Sequence, residues 1–600
     1  MELKPYPILS PTLALELSQP SIFLKDGATA DLIDVYFNNG EVVGMRKRLQ
    51  EYSKVLPDAI LRIERCSMPS SDKVYDMVLT KRDVTYWDQN NERFVYLTKM
   101  YTAGAIVGVS ILSGGRFQLT FNMPSGESLA VSAKAGDFIR LSSDASPYTS
   151  DDTWYEIDSV DAYNEITCTG VLPSGYDTDS LPSGGDQYAL RQTFAGTDED
   201  YWHVDTINEH FVATNNGVDF PIRWTGTGQC SDITNLYKCR SLCAYEARLN
   251  MFYTIEEGQS YPKRVRWSEL YDETAIEPGI ESDAGAAELD SGIGYITRGI
   301  LYKGYLFVFM SESIVRMFAD GSDLVYNIKL VRSDVGTIAG HSIIENADYL
   351  YFYCTKDMTI QRFDGNFAQE MSQQIDYLVK NVTAEYAHLI QATFITEFKQ
   401  VIFAIPYAGS TTINKLLMHS VVGGQWSAAD LEITCFGRYV KSESFSWDTL
   451  PYGSWLDWNW MSWRSRDGLS SFGVDLCGDS DGQVSKLFGS RQDNGADYTR
   501  HIVFETDLGK KGLMVMKKRM LKIQFYVRAE AQGHLDISIK RDLETSWQSA
   551  GVVSLVGTEG ILTVDLPVDF TAKTFKIKIE SEYDFNLLGF VPWYVTAGVR

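Results

Sequence analysis

Apolar residues along this chain recur at every second position in short runs, and that spacing leaves room for little besides β-structure. In FKIKIE (575–580), Phe575, Ile577 and Ile579 fall on one side while Lys576, Lys578 and Glu580 fall on the other. This is the pattern of a strand half buried against a core. LKIQFYV (521–527) and LDISIK (535–540) read the same way. GYLFVFM (304–310), ADYLYFYC (347–354) and KQVIFAIP (399–406) are apolar on both faces, as central strands are. Asp364-Gly365 and Asp481-Gly482 sit between such runs, the dipeptide that tight hairpins favour. The 34 Tyr, 29 Phe and 13 Trp suit pleated surfaces better than helices. Helical spacing is scarce, and its best stretch, QQIDYLVKNVTAEYAHLI (373–390), is broken near Asn381. The expected fold class is all-β.

Strand–turn–strand units recur about every 40–50 residues from Val74 to Leu487, the period of propeller blades. A stack of sandwiches would satisfy the periodicity alone. The expected architecture is a β-propeller over 31–102 and 191–500, preceded by an extended arm at 1–30. Residues 103–190 read as a small β-barrel inserted into a blade loop, with strands AGDFIRL (135–141), WYEIDSV (154–160) and EITCTGV (165–171). Residues 501–600 read as a C-terminal β-sandwich-like domain.

The formal net charge of −25 argues against a protein that grips nucleic acid, because phosphate neutralisation by basic groups supplies most non-specific affinity. Two local departures stand out. Between Ser142 and Asp200 there are 13 acidic residues and one basic, Arg191, which reads as a solvated face. Residues 510–541 carry nine Lys/Arg against two acidic groups. There Lys510, Lys511, Lys517, Lys518 and Arg519 form a candidate patch for an acidic partner subunit or for DNA, with a solvated strand face as the plainer reading.

Chemistry-bearing motifs are missing. There is no GxxxxGK[ST], and GIGYIT (292–297) has Thr297 where a dinucleotide fingerprint needs Gly. There is no HExxH or GxSxG, and the seven histidines lack metal-ligand spacing. DSDG (479–482) has too few ligand positions for a calcium loop and reads as a hairpin turn. Cys230, Cys239 and Cys243 form the closest thiol cluster, and buried thiols are the default for it over zinc. No catalytic residue, metal or cofactor is implied, and the expectation is a protein that is not an enzyme. The N-terminus, MELKPYPILSPTLALELSQP, lacks a basic region followed by an apolar run, so a cytoplasmic start is expected.

An ordered series of short motifs resembles the propeller-containing tail hub or nozzle proteins of short-tailed bacteriophages, among them packaged-DNA stabilisation proteins and tail tubular protein B. DLIDVYFNNGEVVGMRKRLQ (31–50) is similar to the family's opening segment, though it lacks the usual Arg-Pro-Gly ending. YWHVDTINEHFVATNNGVDFPIRW (201–224) and RVRWSELYDETA (264–275) follow. SGIGYITRGILYKGYLFVFMSESIVRMF (291–318) is the most specific stretch, and DVGTIAGHSIIENADYLYFYCTKDMTIQRFDGN (334–366), KQVIFAIP and GGQWSAAD (423–430) complete the order. The resemblance implies a structural virion protein, assembled in the host cytoplasm. Such a protein forms a homo-oligomeric, usually hexameric ring below the portal and its adaptor ring, and carries tail fibre or needle proteins. It would act as a head–tail connector that extends the DNA channel, retains packaged DNA and lets it pass at ejection without a small-molecule substrate. The competing reading is a receptor-binding or glycan-degrading tail component.

Overall fold

A computed structural model describes residues 3–596, apart from 10–14, 20, 22–23, 26, 39, 69–72, 90, 102–104, 124–132, 142–153, 172–187, 280–281, 320–324, 441–472, 509–515 and 558–559. The protein is all-β and built from many small antiparallel sheets. The 373–390 stretch forms three short helical turns, Ser372–Ile375, Asp376–Lys380 and Ala384–Leu389. Asn381 ends the second of these, its side chain donating to the carbonyl of Tyr377 at 2.7 Å. Among the described residues no helix is long and apolar enough to cross a membrane.

The chain divides into two compact units. The smaller comprises Tyr52–Glu288 and the hairpin tip Ser480–Gln483. It holds three four-stranded meanders in chain order. These run from Ile60–Met68 to Arg93–Tyr96, from His203–Ile207 to Ser231–Asp232, and from Tyr237–Tyr245 to Gly285–Glu288. A seven-stranded sheet is spliced in after the first meander, and its first and last strands in chain order, Met100–Tyr101 and Tyr188–Arg191, pair with each other, so the insertion closes at its own root. It has a core of its own, including Phe117, Phe121, Ile139, Ile157, Ile166 and Leu190. Arg191 fixes it to the first meander. Its Nε lies 2.9 Å from Asp83 Oδ1, both side chains are wholly buried, and the guanidinium lies 3.8 Å from the Tyr96 ring centre.

The larger unit comprises Met1–Glu51, Leu289–Asp479 and Val484–Arg600. Three more meanders lie in it, from Ile296–Tyr302 to Asn327–Arg332, from Ile344–Glu345 to Ala368–Glu370, and from Gln391–Ile395 to Trp426–Asp430. The strands read as apolar on both faces are central here: every residue of Leu350–Cys354 and Gln400–Ile405 is buried. A fourth sheet takes Cys435–Val440, Gly473–Gly478 and Val484–Ser490, then borrows its last strand, Lys47–Gln50, from some 400 residues upstream.

Two larger sheets complete this unit. Thr29–Ile33 joins Arg500–Thr506, Phe575–Ser581, His534–Arg541 and Gln548–Ser554 in a five-stranded sheet. Val35–Asn38 and Glu41–Gly44 join Asn586–Thr596, Lys518–Arg528 and Ile561–Ala572 in another, where Lys4–Pro5 and Ile8–Leu9 also pair with Asn586–Thr596. One apolar core includes residues of both sheets. Phe575, Ile577 and Ile579 are wholly buried within it, each worth roughly 1.5–3 kcal/mol. The domain boundaries expected from sequence therefore need correcting. Residues 29–44 belong with the last hundred residues, not with the blade-like series, and only 47–50 cross to it. Alternation told which face of 31–44 is buried, but not which strand supplies the neighbour.

The crossing at 45–47 is held by buried charge. Lys47 Nζ lies 2.9 Å from Asp34 Oδ2 and donates to the carbonyl of Asp430 at 2.6 Å. Arg500, with no exposed side-chain surface, donates to the carbonyls of Met45 at 2.7 Å, Glu582 at 2.8 Å and Arg491 at 3.0 Å. Arg500→Met keeps the length and apolar bulk but strands those carbonyls away from water, each costing about 1–3 kcal/mol. The variant is expected to lose at least about 3 kcal/mol, read as a lowered denaturant midpoint. An unchanged midpoint would show that the guanidinium does not hold the crossing.

Candidate functional site: a mixed acidic and aromatic cavity

Of the five residues of the basic patch expected near residue 510, three are described. Lys510 and Lys511 lie outside the described residues. Lys517 is exposed. Lys518 points inward, wholly buried, with its ammonium donating to the carbonyl of Asp507. Burial pushes its pKa down, with Asp507 opposing. Arg519 is exposed but held as a fork by Asp569, at 2.6 Å from Nε and 2.5 Å from Nη2. Further along the same strand Lys522 meets Asp565 at 2.7 Å, and Arg528 meets Glu41 at 2.8 Å. The excess of positive charge in one stretch of sequence is thus answered by carboxylates from the paired strand 561–572 and from Glu41.

A different place gathers the chemistry. Within the larger unit a cavity of roughly 650 Å³ opens between the sheet closed by Lys47–Gln50 and the C-terminal sheets. Tyr36, Phe398 and Phe488 form its aromatic wall, with Tyr36 and Phe398 centred 5.3 Å apart and Phe398 and Phe488 5.7 Å apart. Phe488 follows a register break between Lys486 and Ser490 and has φ of +59°, a left-handed conformation that costs a non-glycine residue about 1–2 kcal/mol. Glu397, Asp475, Glu530 and Asp584 supply carboxylates, against Arg46 and Lys486. Arg46 is engaged by Asp584 at 2.8 Å.

Asp475 is the unusual member. Its side chain is 11% exposed, and Oδ1 is buried without a hydrogen-bond partner among the described residues. The nearest cation, Arg438 Nε, stands 3.8 Å away, while Arg438 Nη1 donates to Thr396 Oγ1 at 3.0 Å. Arg438 lies across Gly473, where an added Cβ would come within 2.1 Å of Nε, so a side chain there would push the guanidinium aside. Burial drives the Asp475 carboxyl up to about 6, Arg438 pulling it down and Glu397 pushing it further up.

None of the thiols lines this cavity. All eight cysteines are buried and outside disulfides, including Cys230, Cys239 and Cys243. Burial lifts Cys239 to about 12. Among the described residues no three His, Cys, Asp or Glu side chains are grouped to hold a metal ion. None of the cavity residues stood out in the sequence as a site. They come from six separated segments, and no local motif marks a carboxylate that tertiary packing will desolvate.

Comparison with known proteins adds little. No family model matches the chain, and no curated protein matches it. Solved structures that resemble it do so faintly. One is described as the extracellular domain of a one component system of B. thetaiotaomicron, at 8% identity and TM-score 0.31, over 92% of this chain and 81% of that one. An auxiliary nutrient binding protein from Bacteroides thetaiotaomicron gives 9% identity and TM-score 0.27, over 64% and 97%. An exo-β-1,3-galactanase from Phanerochaete chrysosporium, solved with galactose, gives 8% identity and TM-score 0.21, over 65% and 95%. Similarity at that level carries no argument about this protein.

The raised Asp475 pKa has a definite sign. The folded state holds this proton more tightly than the unfolded chain, so stability from this group falls as pH rises from about 4 to about 6 and stays low above. Asp475→Asn removes that cost and should stabilise the protein by on the order of 2–3 kcal/mol near neutral pH, with the gain fading towards pH 4. Buried His419, pushed down to about 4, has the opposite slope but is common to both proteins. The difference between variant and wild-type melting temperatures across pH therefore isolates Asp475. A difference that does not change with pH would refute the assignment.

Proposed function

We propose that the chain is a structural protein of a bacteriophage tail, a propeller-type hub or nozzle, and that it works as an oligomeric collar without turnover of a substrate. The observation that carries this reading is the three-plus-one sheet. Cys435–Val440, Gly473–Gly478 and Val484–Ser490 end the series of four-stranded meanders, and Lys47–Gln50, from before its start, completes them. A circular array of blades needs such a latch, because the last sheet must be tied to the start of the chain if no open edge is to remain.

The other supports are physical and sequential. The motif series of residues 31–430 follows the order of the tail-hub family. Short meanders with buried central strands make a stiff body, and the two C-terminal sheets and the spliced seven-stranded sheet offer surfaces for neighbours. A net charge of −25 repels phosphate, so a wall of this composition would let DNA slide past without strong sites that stall it. The neutralised basic strand at 518–528 agrees with a role in which the protein does not grip the genome.

In the virion that carries this chain, cryo-electron microscopy should find it as a ring on the tail axis, sixfold and seated under the adaptor. Density for the chain away from that axis would overturn the proposal. So would shortening of host surface polysaccharide by the purified protein.

A further inference from the structure

The Asp475 cavity has no part in the collar reading, and its lining asks for an occupant. Four carboxylates line it against Arg46 and Lys486, with Arg438 standing 3.8 Å from Asp475 as a third cation, and Arg46 is already engaged by Asp584. One acceptor, Asp475 Oδ1, is buried with no hydrogen-bond donor among the described residues, at the side of an aromatic wall. A buried carboxylate left in this state is costly unless a donor completes it, and a positively charged donor completes it best.

We propose that this cavity is a binding site for a guanidinium group. The flat cation would lie against the wall of Tyr36, Phe398 and Phe488 and direct its fork of N–H donors at Asp475, with Glu397 and Glu530 balancing the charge. An anion is disfavoured by the net lining charge. A neutral sugar could donate to Asp475, yet would add no positive charge to the long 3.8 Å contact with Arg438. A lysine ammonium matches the charge but lacks the planar face that stacks on aromatic rings and the paired donors that meet a carboxylate side-on. The raised carboxyl is consistent with this: the site stores a cost that a cationic guest relieves. Phe488 is held in a left-handed conformation at the wall, the kind of strain that clusters at ligand clamps.

The groups facing Asp475 come from each surrounding element. They are Glu397 from the turn before Gln400–Ile405, Arg438 from Cys435–Val440, Lys486 from Val484–Ser490, Arg46 from the crossing segment, and Glu530 and Asp584 from the C-terminal sheets. Burial lifts the Asp475 carboxyl to about 6. Guanidinium binding should therefore need Asp475 ionised and weaken as the solution is acidified through that region.

The test is titration calorimetry of the full chain with two probes, agmatine and a capped Gly-Arg-Gly peptide. Saturable binding is expected near pH 7.5, weaker by about tenfold near pH 5, the change that protonation of one group of this pKa produces. Asp475→Asn should abolish it while melting no lower than wild type near neutral pH, and Glu397→Gln should weaken it severalfold. Tighter binding of the peptide would assign the source as an arginine side chain of a partner protein; tighter binding of agmatine would assign a free guanidino compound. The proposal is overturned if neither probe saturates, if Asp475→Asn binds as wild type does, or if galactose or N-acetylglucosamine displaces the probe. Because the assay is made on the isolated protein, it stands or falls independently of any place in a virion.

Discussion

The arrangement of the larger unit turns on one buried guanidinium. Arg500 lies where the chain leaves the C-terminal sheets to supply the last strand of the four-stranded series. It satisfies carbonyls from three separate stretches, at Met45, Glu582 and Arg491. A carbonyl buried without a partner costs more than a made hydrogen bond returns, so these three segments are placed relative to one another by a single group. The Arg500 fork and the neighbouring Lys47–Asp34 pair together convert a crossover of bare backbone into a fixed joint.

That joint also fashions the cavity. Tyr36 precedes the crossing, Arg46 lies on it, and Asp584 serves both Arg46 and Arg500, the latter at 3.4 Å. The acidic lining is therefore coupled to the closure of the sheet: the same carboxylate that braces the joint neutralises the one cation pointing into the cavity from that side. Asp475 sits across from it, with Arg438 kept at 3.8 Å rather than in full contact. Packing, not chemistry of the individual residues, made one aspartate of the wall unlike the others.

The smaller unit shows the same economy with different partners. Arg191 is the lone basic residue of the acidic stretch 142–200, which reads in sequence as a solvated face. It is instead the rivet of the inserted sheet, paired with Asp83 out of reach of water and flanked by aromatic rings. Glu273 plays a comparable part between two meanders, accepting from Asn208 at 2.8 Å, His210 at 2.6 Å and Arg223 at 3.0 Å. Buried charge in this protein joins elements, whereas exposed charge, such as the Arg519–Asp569 fork, covers sheet faces and contributes little.

Strand identity was open to reading from residues alone. A period of two sets which face of Phe575–Ser581 is buried, double-sided apolar runs mark Leu350–Cys354 and Gln400–Ile405 as central, and Asn381 ends a helical turn through its own side chain. Partner choice was not, because alternation fixes a strand's face and is silent about its neighbour. For that reason residues 29–44 went to the C-terminal sheets and only Lys47–Gln50 to the series. The site was not legible either. Desolvation of Asp475, the inward turn of Lys518 and the left-handed backbone of Phe488 arise only when distant segments pack, since a side chain's exposure belongs to the folded surroundings and not to its own stretch of sequence.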